Sequence, residues 1–236
     1  MKHVILGNGP AGVIAAETIR QRAPHDQIVM IGSEDAPPYS RMAIPYLLMG
    51  NIEESGTYLR KDAGHFEKLK IEQVHGKASS VDLKNKKVEL EGQSIGFDKL
   101  LIATGSVPVQ PPIPGIERAL TLRTVEDVEK IADRVDAKPK SAVVIGGGFI
   151  GVEIAENLVH KGISTTVVEA APQVLAPLDP EMATLVAKEM RKHGITLHLG
   201  VSAKDVTATT VVLSDETVLE ADLVIMAIGV RPDTAL

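Results

Sequence analysis

Two stretches of this 236-residue sequence carry glycines at a spacing suited to holding phosphate. Residues 4–12 read VILGNGPAG and residues 143–151 read VVIGGGFIG. Each fits Gly-x-Gly-x-x-Gly, with Gly7, Gly9 and Gly12 in the first copy and Gly146, Gly148 and Gly151 in the second. In such a turn the first glycine permits a tight bend and the second lets backbone approach a pyrophosphate. The third lets a helix pack closely on a strand. The N-terminus of that helix then offers N–H groups and a partial positive charge to the phosphates. A carboxylate about 20 residues further on completes such a site by accepting from ribose hydroxyls. Glu169 stands 18 residues after Gly151, and Glu34 stands 22 after Gly12, where Asp35 competes for the role. Two turns with two acids imply two dinucleotides in one chain.

Each turn needs a strand before it and a helix after it. Residues 2–6 and 28–31 are short apolar runs, and 10–21 carry Ala11, Ile14, Ala15 and Ile19 at helical spacing. The second copy has runs at 142–145 and 165–168 around a helix over 150–160, closed by Gly162. Asp179-Pro180-Glu181 then offers an N-cap and a proline at the first helical position. That helix runs to about His193 and stops at Gly194.

The halves also end alike. FDKLLIATGSVP at 97–108 overlays ADLVIMAIGVRP at 221–232, matching Asp98 with Asp222, Ala103 with Ala227, Gly105 with Gly229 and Pro108 with Pro232. These pairs stand 124 residues apart, whereas Gly7 and Gly146 stand 139 apart. The first half therefore holds about 15 additional residues, and the polar, proline-containing stretch 35–61 is the place for them. Alternating runs at 78–81, 87–90, 210–213 and 217–219 suit a small antiparallel meander in each half. The charged segment 121–140 is the natural join. The expectation is a duplicated α/β chain with domains at 1–118 and 119–236.

Composition excludes several classes. A net charge of -6, with no basic run longer than Lys86-Lys87, argues against a nucleic-acid groove. The absence of cysteine removes disulfides, thiolate nucleophiles and cysteine-held metals. The seven histidines are scattered, and His193 and His198 are five apart, a poor spacing for two ligands on one helix face, so no metal site is expected. No apolar stretch is long enough to cross a bilayer, and the opening residues lack a signal-peptide layout, so a cytoplasmic protein is expected.

The stretches VILGNGPAGVIAAE, FDKLLIATGSVP, VVIGGGFIGVEIAENL and DLVIMAIGVRPDT, in that order, resemble the FAD/NAD(P) reductases of the pyridine nucleotide-disulfide oxidoreductase family. The resemblance covers essentially the whole chain. It implies two Rossmann-like dinucleotide-binding domains, each a parallel sheet with a small antiparallel meander. By resemblance, Gly7, Gly9, Pro10, Ala11 and Gly12 lie at the FAD pyrophosphate, Glu34 at its ribose, Ala78 near adenine, and Thr104 and Gly105 near the flavin. Gly146, Gly148, Ile150, Gly151 and Glu169 serve NADH, with Gly229 lining that site. Residues 38–45, PYSRMAIP, resemble the flavin-side loop of nitrite reductase large subunits and of rubredoxin and ferredoxin reductases. Arg41 is there a candidate FAD contact, and Glu153 matches the acid that neighbours the nicotinamide.

The chain departs from the family in three ways. It has no redox cysteine; Tyr46 stands where relatives of the ferredoxin-reductase type carry a lysine; and no Gly-Asp pair supplies the family's third motif, which grips the ribityl chain. A carboxy-terminal dimer domain or partner subunit is therefore expected to complete the flavin side. The expected function is hydride transfer from NADH to FAD, with Glu153 and Arg41 assisting. Electrons then pass, without a thiol intermediate, to an unidentified small protein or small molecule. The competing expectation is a redox-sensing or regulatory dinucleotide-binding subunit without turnover.

Overall fold

The structure is a computed structural model that describes all 236 residues. Packing divides the chain into two units, one of Met1–Ala43, Glu53–Val107 and Pro232–Leu236, the other of Ile44–Ile52 and Pro108–Arg231. Residues 108–118, and the strap 44–52, are thus counted with the second unit.

In the first unit, β1 (Lys2–Leu6) lies between β2 (Gln27–Gly32) and β7 (Lys99–Ile102), with β3 (Ile71–His75) outside β2 and all four parallel. Val4 and Leu6 of β1 face a meander of β4 (Ala78–Asp82), β5 (Lys87–Leu90) and β6 (Gln93–Gly96), meeting Val88, Leu90 and Ile95. Ile5 faces the other way, onto Val13 and Ala16 of α1 (Pro10–Arg22). A strand covered on both faces has no polar side to show, which is why these runs read as unbroken apolar residues.

The second unit repeats the plan. Its sheet runs β11 (Thr196–Leu199), β10 (Ser164–Glu169), β9 (Ser141–Ile145), β15 (Leu223–Met226), again parallel. Val143 and Ile145 pack with Val206, Val211 and Leu213 of the meander β12 (Ala203–Val206), β13 (Thr210–Leu213) and β14 (Val218–Glu220). Helix α5 (Phe149–His160) follows β9, and α6 (Pro180–Lys192) follows β10. Two three-residue strands, β8 (Ser106–Pro108) and β16 (Val230–Pro232), stand outside these sheets. The expected fold class, a parallel sheet and an antiparallel meander in each half, is the one the chain forms.

The matched tail motifs have a local cause. Asp98 accepts from the Lys2 N–H (2.6 Å), and Asp222 accepts from the N–H groups of Lys140 (2.8 Å) and Ser141 (3.1 Å). Five residues further on, Ala103 and Ala227 donate to Leu6 and Ile145 at 2.7 Å each. The motif therefore fastens the last parallel strand of each unit to both ends of the first.

Several local expectations needed correction. Segment 121–140 contains a helix, α4 (Val125–Asp136), with a capping box in which Thr124 and Asp127 exchange side-chain-to-backbone bonds. The Thr-x-x-Asp spacing was its signal. The inserted stretch 35–61 also folds, forming α2 (Ile44–Met49), whose buried Ile44 and Leu48 pack it on α4 and α5. Both meanders have three strands where two runs were legible. Asp179 precedes α6 as expected, but its side chain makes no cap hydrogen bond. Gly194 stops that helix with φ +86°. No helix is long and apolar enough to cross a membrane.

A clasp closes the first unit beside α3 (His65–Lys68). Arg60 donates to both oxygens of Glu17 on α1, at 2.7 and 2.6 Å, and His65 Nε2 lies 2.8 Å from Glu17 Oε1. The Arg60 hydrogen bonds, followed by those of His65, outweigh partial burial and hold the Glu17 carboxyl below its ordinary value of 4.5. A depressed carboxylate stabilises the fold above its unfolded value, and that contribution is lost as pH falls through the folded one. Glu17→Gln is accordingly expected to flatten the stability profile below 4.5. Urea unfolding of both proteins between neutral and acidic pH should show their difference shrinking as the medium is acidified; a constant difference would contradict it.

Candidate dinucleotide sites

Both glycine turns adopt one geometry. Gly7 and Gly146 have φ +112°, and a Cβ there would stand 2.1 Å from the Ala103 carbonyl oxygen and 2.4 Å from that of Ala227. A Cβ on Gly12 would lie 1.9 Å from the Gly7 oxygen, and one on Gly151 would lie 1.9 Å from the Gly146 oxygen. These four positions admit no side chain, because the obstacle in each case is backbone. Gly9 and Gly148 differ: both have ordinary negative φ and nothing within 4 Å of an added Cβ. The protein's own packing does not demand glycine there. Open space at each of these glycines, beside the start of a helix with free N–H groups, fits the close approach of a pyrophosphate.

The helices that follow agree with that fit. Neither α1 nor α5 has a side-chain cap or an acid in its first turn, whereas α4 has its capping box and α6 has Glu181. The first N–H groups of α1 and α5 are left for an outside acceptor. Pro10 takes the first helical position of α1 and Ala11 follows it. Ile150 is partly exposed at the start of α5, next to Phe149, which is 64% exposed and was not singled out on sequence.

The acids sit differently in the two units. Glu169, ending β10, accepts from the Gly147 N–H through Oε2 (2.6 Å) and from the Ala171 N–H through Oε1 (2.7 Å). Its carboxylate is therefore held against the turn itself, and no cationic side chain pairs with it. Glu34 lies beyond the end of β2 and is held by Arg41 Nη2 and by the Tyr39 hydroxyl. Arg41 Nη1 donates to the Tyr39 hydroxyl at 2.6 Å, with its guanidinium carbon 5.1 Å from the centre of that ring. Sequence reasoning named Glu34 and Arg41 separately; the structure joins them, with Tyr39 as the residue that went unnoticed. Asp35, the competitor, is a rim residue 3.2 Å from His75.

Thr104 donates to the Asp233 carbonyl (2.7 Å), and Gly105, with φ +76°, accepts from the Asp233 N–H (3.0 Å). Ala78 begins β4 at a register shift and packs on the meander core. Gly229 has φ +115° and open space around it. Glu153 is on the exposed side of α5 without an ion-pair partner, and desolvation, followed by the Glu156 carboxylate, raises its carboxyl above the usual range. Tyr46 is exposed on α2. A cavity of about 250 Å³ in the second unit is lined by Val152, Val159, Val186 and Met190 of α5 and α6 and by no residue of the glycine turn.

Two Rossmann-type units, each with an open glycine turn, define a two-dinucleotide protein. The chain belongs to the pyridine nucleotide-disulphide oxidoreductase family, whose model matches residues 1–236. That family comprises NAD(P)H-dependent flavoprotein oxidoreductases, and its cofactors are FAD and NAD(P)H. An NADH oxidase of Methanocaldococcus jannaschii is 34% identical over 100% of this chain and 56% of its own length. A nitrite reductase [NAD(P)H] of Bacillus subtilis is 34% identical over 99% of this chain and 30% of its own. The crystal structure of reduced Bacillus anthracis CoADR-RHD superposes with a TM-score of 0.94 at 31% identity, over 99% of this chain and 44% of that one. The chain thus spans about half or less of the length of these relatives.

The glycine geometry separates folding from binding. Gly9→Ala is expected to leave the melting temperature of the ligand-free protein within a few degrees of wild type, yet to abolish tight binding at the first turn. Gly12→Ala should instead destabilise the fold, because backbone must move, by about 2 kcal/mol or more. Thermal melts with and without added FAD check both; a Gly9→Ala protein that binds FAD like wild type would remove the first turn from the site.

Proposed function

We propose that the first unit holds FAD and the second NADH, and that the chain is the nucleotide-binding portion of an NADH-dependent flavoprotein reductase. The observation that carries this reading is the pair of open, uncapped glycine turns within one chain. When bound, the two cofactors supply hydride chemistry, from nicotinamide C4 to flavin N5, and the protein supplies orientation. Gly9, Pro10, Ala11 and Gly12 place the pyrophosphate of FAD over the N-terminus of α1. Gly148, Ile150 and Gly151 do the same for NADH on α5. Arg41, held by its ion pair with Glu34 and by Tyr39, presents a fixed guanidinium to FAD. Glu153, easier to protonate than an ordinary carboxyl, shapes the nicotinamide pocket, with Gly229 and Phe149 leaving its mouth open.

The absence of cysteine supports direct passage of electrons from the flavin to an acceptor, a small redox protein or a small molecule. The family's thiol-containing branches are an unsuitable comparison for that step. FAD is expected to be held loosely by these 236 residues. The outer strand β7 leaves Leu101 and Ile102 39% and 54% exposed, whereas its counterpart β15 is buried throughout.

The test is spectroscopic. Purified protein supplemented with FAD and titrated anaerobically with NADH should lose the visible absorption of oxidised flavin, then reduce ferricyanide catalytically. Dialysis should remove FAD and added flavin should restore it. A holoprotein whose flavin NADH does not bleach would defeat the enzyme reading and leave a binding subunit.

The carboxylate of Glu169 supports NADH over NADPH. It would accept from the adenine ribose 2′-hydroxyl and repel a 2′-phosphate, and Ala170-Ala171-Pro172 brings no arginine to neutralise one. NADH is expected to bind at least about tenfold more tightly, a difference of ~1.4 kcal/mol. Glu169→Ala should narrow that ratio in paired titrations, and an unchanged ratio would show that selectivity lies elsewhere.

A further inference from the structure

The two turns differ at one linked pair of positions. Strand registers make the comparison exact in position: Leu6 pairs with Ile31 in β1–β2, and Ile145 pairs with Val168 in β9–β10. Gly7 likewise donates to the Ile31 carbonyl and Gly146 to that of Val168, each at 2.8 Å. The next residue along the second strand is therefore Gly32 in the first unit and Glu169 in the second. The next residue along the turn is Asn8 in the first and Gly147 in the second. The pair is Asn–Gly in one unit and Gly–Glu in the other.

The exchange is steric. A Cβ on Gly147 would come 3.1 Å from Glu169 Cβ and 3.3 Å from its Cγ, a tight approach that Glu169 would have to relieve by moving a few tenths of an ångström. A Cβ on Gly32 would come 2.3 Å from Asn8 Nδ2 and 2.4 Å from its Cγ, so the turn-borne side chain needs glycine on the strand. One space beside the turn is filled by one side chain, delivered from opposite walls. In the second unit it is a carboxylate. In the first it is an amide, and the acid, Glu34, stands two residues further along, held by Arg41.

The Asn8 amide forms no hydrogen bond to the protein and is only half-buried, although it is wedged over Gly32 at the mouth of the turn. An amide offers two donors and an acceptor. From this geometry we propose that Asn8 is a recognition residue of the first site. It contacts the adenosine-diphosphate half of FAD from the place that Glu169 occupies in the second site. This inference rests on the assignment of FAD to the first unit.

The test uses the full chain as Asn8→Gly, Gly32→Glu and the double variant, followed by thermal melts without ligand and by titration with FAD, read from flavin fluorescence. Asn8→Gly is expected to weaken FAD binding about three- to tenfold, the loss of one or two hydrogen bonds, with NADH titration unchanged and the ligand-free melt within a few degrees of wild type. Gly32→Glu should melt well below wild type, and adding Asn8→Gly to it should raise the melt, because the two side chains compete for one space. Wild-type affinity in Asn8→Gly, or a double variant melting no higher than Gly32→Glu alone, would overturn the proposal. Wild-type protein that binds no FAD would instead defeat the assignment of the first unit, and with it the ligand contact proposed for Asn8.

Discussion

The structure depends on one close approach, made twice. The third glycine of each turn presses its Cα against the carbonyl of the first, leaving no room for a methyl group. The first glycine is in turn pressed against the carbonyl of Ala103 or Ala227, one residue past the strand on the other side of β1 or β9. Helix, turn and two parallel strands are thereby locked within van der Waals distance. Everything else about each unit is arranged so that this contact can form. The central strands β1 and β9 bury apolar residues on both faces, α1 and α5 start without side-chain caps, and an aspartate fastens the far end of the last strand to the first.

That lock explains why the helix starts are unsatisfied. Each of these helices is pinned to its strand through Gly12 or Gly151 while its first residues stay exposed, and an acid or hydroxyl placed there would compete with a phosphate. In α4, by contrast, Thr124 and Asp127 close the helix start with a capping box, and α6, which has no side-chain cap, carries Glu181 in its first turn.

Around the common lock the units diverge through side chains that solve shared packing problems differently. Asn8 over Gly32 and Glu169 over Gly147 are two fillings of one space. The first unit moves its acid to Glu34 and neutralises it with Arg41, while the second leaves Glu169 bonded only to backbone N–H groups. Duplication thus preserved the backbone contact and released the side chains. A repeated fold can in this way present unlike chemistry to two related ligands.

The sequence by itself determined the duplication, the two parallel sheets with their meanders, and the position of every glycine in both turns. Those features are local: an apolar run, a fixed glycine spacing and a matched Asp-to-Pro tail each express a constraint spanning fewer than about fifteen residues. Only the tertiary structure decided the rest. Nothing in the local pattern around Glu34 foretells its bonds to Tyr39 and Arg41, because the stretch between them reads as a polar loop. Helix α2 was hidden for a related reason: six residues with a proline at the second position show no period, and Ile44 and Leu48 are held by the surfaces of α4 and α5. The exclusion between Asn8 and Gly32 joins residues 24 apart in sequence, and the register of β1 on β2 brings them together. Side-chain pairing across elements depends on register and approach distance, which a single sequence does not display.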